Sequence, residues 1–194
     1  MWLFRRPVTV EAAADDLSLQ ASRLPLRLRE RAAPLGLAQC DSFEPESLAL
    51  IHAVAVHVIQ RSLFAAPDRD RLQDRFTLAF ADRMLRLRLT GTVFVRHRPL
   101  EAAPANEAMR TLAFESHDRL KLFSLRDFLC RRAAAYRDAG TGILRLEEMV
   151  DRYLGYLEAS WTLESKFSLA VFVTNSGDDL GHALAQLWRT TYLV

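Results

Sequence analysis

Five histidines are scattered along this chain, and three of them stand where chemistry could be done. His52 and His57 lie in LALIHAVAVHVI (48–59), the most apolar stretch of the sequence. An imidazole there is a candidate haem or metal ligand, or the polar handle of a pocket for an apolar molecule. A five-residue step turns about 140° on an α-helix, so the two rings cannot hold one metal from one face. A core histidine bonded to a neighbouring polar group explains either residue as simply. Asp178, Asp179 and His182 form the second group. Asp178 and His182 are four apart and could grip a cation together, while His182 beside Asp179 is the best acid–base pair. Helix capping and the helix dipole give the plain account of the two acids.

Familiar catalytic signatures are absent from the sequence. It contains no Gly-x-Ser-x-Gly elbow, no phosphate loop and no His-Glu-x-x-His, and Gly140 with Gly142 lacks the third glycine of a dinucleotide fingerprint. A di-iron bundle needs Glu-x-x-His, because residues three apart share a helical face, and no Glu here has a His three positions later. Glu148 with Asp151, and Glu115 with Asp118, share faces but look like solvated helix edges. The sequence names no cofactor and leans away from an enzyme.

Charge is split along the chain. Between Ala81 and Arg98 five arginines (Arg83, Arg86, Arg88, Arg96, Arg98) face one acid, Asp82, whereas Thr141 to His182 holds seven acids against three bases. The net charge is only +2, and no helix-turn-helix or aromatic platform accompanies the basic run, so nucleic acid is disfavoured as a partner. Opposite regions of this kind suit pairing within the fold, self-association, or a protein partner on the basic patch.

Half of the 194 residues are hydrophobic, 26% are charged and 9% aromatic, enough for one continuous core, so one helical domain over 1–194 is expected. The start, MWLFRRPVTV, places its arginines after a short apolar tip, opposite to the order of a secretory leader. The 48–59 stretch falls well short of the roughly 20 residues of a membrane span. A cytoplasmic location without a span is the expectation, with Cys40 and Cys130 reduced.

The elements that must position these residues follow from periodicity. Val10, Ala13, Leu17 and Ala21 predict a first helix ending before Pro25, then an irregular or briefly extended connector over 23–38. Residues 46–64, apolar on nearly every face with Pro45 in the first turn, predict a central helix. Leu72, Phe76, Ala79, Phe80 and Leu87 predict a helix over 68–89, with Asp82 four residues before Arg86. A short hairpin at 85–98, turning at Thr90-Gly91-Thr92, competes for its end. Beyond a loop at 99–104, Met109 to Phe123 carries another stripe, and Ser124 with Asp127 resembles a capping box for a helix carrying Leu125, Phe128, Leu129 and Tyr136. Leu146, Val150, Tyr153, Leu154, Leu157 and Trp161 form the cleanest stripe. FSLAVFV (167–173) extends that helix or forms a strand. Asn175-Ser176-Gly177 predicts a turn before a last helix capped by Ser176 or Asp178.

The stretch 48–87, an apolar helix, an Arg-bearing break and RFTLAFADRMLR, is faintly similar to part of the bacterial ubiquinol–cytochrome c assembly chaperones. The likeness covers about a fifth of the chain and brings no functional residue with it. The sequence thus predicts an all-α or mainly α bundle of six or seven helices. Its leading functional reading is a non-enzymatic protein that binds another protein and self-associates. The alternatives are a carrier of an apolar small molecule or cofactor near His52 or His57, and an enzyme using His182.

Overall fold

Thr9 opens helix α1 (Val10–Ala21) with its hydroxyl accepting the Ala12 N–H at 3.1 Å. Val10, Ala13, Ala14, Leu17 and Ala21 are buried, as the spacing predicts. The computed structural model of the chain describes residues 6–87, 125–136, 146–157 and 160–193. Among them are six further helices: α2 (Leu24–Ala32), α3 (Phe43–Gln60), α4 (Ala66–Arg86), α5 (125–136), α6 (Leu146–Leu157) and α7 (Leu163–Thr190). The fold is a mainly α bundle. A parallel pair of short strands, β1 (Arg6–Val8) and β2 (Thr191–Leu193), joins its ends with Arg6 opposite Thr191.

Helix α3 is the axis. Every residue from Pro45 to Val56 is buried, and α3 touches α2, α4, α6 and α7. The acidic first turn, with Glu44 and Glu46, suits the positive end of its dipole. α1 packs along α4, whose Leu72, Phe76, Phe80, Ala81 and Met84 face inward. Ser42, just before α3, donates to the Leu157 carbonyl at 3.2 Å, and Val58 near its end lies against Gly181. The start of α3 thus meets the end of α6, and its last turns meet α7.

Three sequence expectations are corrected. The connector at 23–38 is helical. Leu24 and Leu28 are the i, i+4 face of α2 with Ala32, and Pro25 sits in the first turn, where its missing N–H costs nothing. Two 3₁₀ turns follow (Ala33–Leu35 and Leu37–Gln39), hinged at Gly36, whose φ of 73° favours glycine. The stripe does not run as one helix to Trp161: α6 is described to Leu157, and Trp161 is exposed and non-helical before a new start at Thr162, which forms a capping box with Ser165.

The expected turn at Asn175-Ser176-Gly177 is the third. These residues and FSLAVFV lie inside α7, an unbroken 28-residue helix about 42 Å long. Ser176 and Gly177 are buried there, and the packing of small residues against the bundle outweighs their turn preference. α4 closes at Arg86 with Leu87 exposed, and the rest of the hairpin expectation lies outside the described residues. So do the stripe from Met109 to Phe123 and Ser124, while α5 buries Leu125, Leu129 and Tyr136. No helix among the described residues is long and apolar enough to cross a membrane, and no disulfide joins Cys40 and Cys130.

Candidate functional site

His52 is 1% exposed, and its Nε2 lies 2.9 Å from the Thr77 hydroxyl. That hydroxyl donates to the Gln73 carbonyl at 2.9 Å, so the imidazole donates to Thr77 and Nε2 carries the proton. The ring stacks on Phe76, centroids 5.9 Å apart and planes 16° apart, with Phe80 tilted at 6.2 Å. His52 is thus built into the contact between α3 and α4.

His57 points elsewhere, as the 140° step between the two rings requires. It lines a groove of about 590 Å³ between α3 and α7, and the same groove holds Asp178 and His182. Two groups far apart in sequence are therefore brought together. The walls are Val58, Leu63, Leu184 and Ala185; Gly177 and Gly181 leave room at the floor, and Arg61 and Arg189 add positive charge. Burial, and then the Arg61 charge, hold the His57 pKa below its ordinary value, so the ring is neutral at pH 7. The His182 Nδ1 is 2.8 Å from the Asp178 carbonyl, so a neutral ring donates from Nδ1 and presents its Nε2 lone pair.

Asp179 faces the other side of α7, in a groove shared with α2. The capping account of Asp178 and Asp179 is overturned, because both sit in the middle of α7. His182 meets the main chain of Asp178, and no nucleophilic side chain is bonded to it among the described residues. No group of three or more His, Cys, Asp or Glu suited to a metal ion occurs among the described residues.

Of the basic patch, Arg83 is drawn into the fold. It reaches Asp15 at 2.5 Å and the buried Ser18 hydroxyl at 3.2 Å, tying α4 to α1. Arg86 stays at the surface, paired with Asp82 at 2.7 Å as its spacing predicts. Arg88, Arg96 and Arg98 lie outside the described residues. In the acidic segment Asp151 pairs with Lys166 at 2.6 Å, within that same segment.

Two features were not singled out from sequence. Glu46 is buried and meets Arg132 of α5 at 2.7 Å, and burial outweighs the arginine, raising the carboxyl's pKa. Arg132 also lies over the Tyr156 ring, 3.9 Å from its centroid. Beside this pair Tyr153 bonds Ser47 at 2.9 Å, and burial pushes the Tyr136 and Tyr153 hydroxyls up. Glu46 was hidden because an acid in a helix's first turn looks like a dipole partner. The second feature is an apolar surface at the start of α7, with Trp161 45%, Leu163 79% and Phe167 69% exposed. The clue was present in Leu163 and Phe167, which repeat at four residues but off the phase of the buried Leu169, Phe172 and Val173. No protein-family model, no curated protein and no solved structure matches this chain.

Proposed function

We propose that the chain is a non-enzymatic helical protein that acts by binding another protein through the start of α7. The observation that carries this reading is the exposure of Trp161, Leu163 and Phe167 within one short stretch. A single exposed leucine is ordinary, but large apolar side chains gathered on one surface suit contact with another protein. Covering each of them is worth roughly 1.5–3 kcal/mol. Leu163 and Phe167 stand one helical turn apart, so one partner surface can meet both.

The test is the double variant Leu163→Glu, Phe167→Glu, compared with wild type by native mass spectrometry after gentle purification from the native host. Wild type is expected as a dimer or defined complex, and the variant as a folded monomer by circular dichroism. An identical mass distribution for the two proteins would refute the reading.

The groove of about 590 Å³ between α3 and α7 favours a second reading, a carrier of an apolar small molecule. Its size and apolar walls support that reading, with His57 and His182 as the polar contacts. Such a carrier retains a small-molecule mass that Gly181→Leu expels, and wild-type protein without any retained mass counts against it.

A further inference from the structure

We infer that the groove between α2 and α7 receives an acidic helical segment of the partner protein, held by a row of three arginines; this rests on the protein-binding reading above. Arg23, Arg27 and Arg31 recur every four residues from the cap of α2 to its last turn. Each step advances 6 Å and rotates only 40°, so their side chains form a row about 12 Å long on one side of the helix.

The row borders two adjoining hollows of about 490 and 290 Å³, which share Leu24, Arg27 and Asp179. Arg31 meets the Ser168 carbonyl at 3.3 Å while Arg23 shares its hollow with Leu180, so α2 runs opposite to α7 and the groove follows both.

Four exposed arginines elsewhere are occupied. Arg29 holds Glu44, Arg75 holds Glu11, Arg86 holds Asp82 and Arg131 holds Asp127, all within 3.1 Å. Among the described residues neither Arg23 nor Arg27 is within ion-pair reach of a carboxylate, although Glu30 and Asp179 line the same groove. Arg31 spends one N–H on a carbonyl. Arg23, Arg27 and the remaining N–H groups of Arg31 therefore border an apolar floor of Leu24, Phe172 and Leu180.

A helix with carboxylates at every fourth position repeats its charge at the same 6 Å and offers each arginine a two-oxygen partner. Glu30 and Asp179 oppose a uniformly charged polyanion such as nucleic acid, but they accept a protein helix that carries a basic residue between its acids.

The experiment uses the full chain and a fluorescent alanine-based peptide with three glutamates four residues apart, set against a peptide of the same composition with its glutamates adjacent. Fluorescence anisotropy is expected to give the spaced peptide about ten-fold tighter binding. Arg27→Glu should abolish that preference, and Arg71→Glu, an exposed arginine of α4 outside the groove, should retain it. Equal binding of the two peptides, or an unchanged preference in Arg27→Glu protein that is folded by circular dichroism, overturns the inference. The Leu163→Glu, Phe167→Glu protein separates the two claims. If it loses association while wild type ignores the peptides, this groove assignment falls and the protein-binding reading stands; if neither effect is seen, both fall.

Discussion

Arg132 of α5 donates to Glu46 of α3 at 2.7 Å, and this contact holds a carboxyl group among buried tyrosines in the bundle interior. Because the folded state raises the Glu46 pKa, folding favours the protonated acid over the ionised one. The contribution is full below the unfolded value near 4.5 and is lost as pH rises through the folded pKa. Glu46→Gln cannot titrate. Urea denaturation from pH 4 to 7 should therefore show wild type losing stability relative to Glu46→Gln as pH rises, and parallel curves would contradict this.

Removing the arginine has a different effect from neutralising the acid. Arg132→Ala strands a carboxylate whose side chain is 5% exposed and strips the cover from Tyr156. A loss of about 3 kcal/mol is expected, the low end for a broken buried pair because Arg132 remains 30% exposed. Chemical denaturation at pH 7 measures it. Arg132→Ala combined with Glu46→Gln should recover part of the loss.

Thr77→Val keeps the shape of the α3–α4 contact but withdraws the acceptor from the His52 Nε2–H. The cost should be about 1–3 kcal/mol, that of a buried donor deprived of its partner. In a double-mutant cycle with His52→Phe the two changes should be strongly non-additive, and simple additivity would show that the contact carries no energy.

Two neighbouring arginines should behave differently. Arg83→Ala breaks the contacts to Asp15 and Ser18 that join α4 to α1, and should lower stability by about 1 kcal/mol. Arg86→Ala removes a pair whose arginine is 78% exposed, and thermal unfolding should change little. Arg86 is therefore the cleaner position for testing surface charge.

Gly181 sits within α7, and a Cβ there would meet Val58 at 3.8 Å, an ordinary contact. Gly181→Ala should stabilise the protein by about 0.5–1 kcal/mol, through reduced freedom of the unfolded chain. Thermal melting checks this. At Gly36 the same change meets a φ of 73° and should destabilise.

The helical architecture was legible because stripes such as Val10, Ala13, Leu17 and Ala21 report a buried face whatever lies opposite. Identity of the opposing element was not legible. His57 and His182 each stood out alone, yet nothing in their spacing says that α3 and α7 run side by side. Turn propensity misled at Asn175-Ser176-Gly177 because small residues favour loops in isolation and close packing in a bundle. The row Arg23, Arg27, Arg31 was obscured in the same way, since reading 23–38 as irregular removed the periodicity that aligns it.

The pairing of Arg6–Val8 with Thr191–Leu193 sets an order in time. During synthesis the first strand leaves the ribosome before its partner has been made, by an interval of roughly ten to forty seconds at ordinary elongation rates. Through that interval α1 can lean on α4, which emerges early, while the edge of β1 stays open. β1 is paired only once Thr191–Leu193 has emerged, and a nascent chain stalled before Thr191 presents an unpaired strand to whatever chaperone or neighbouring chain meets it first.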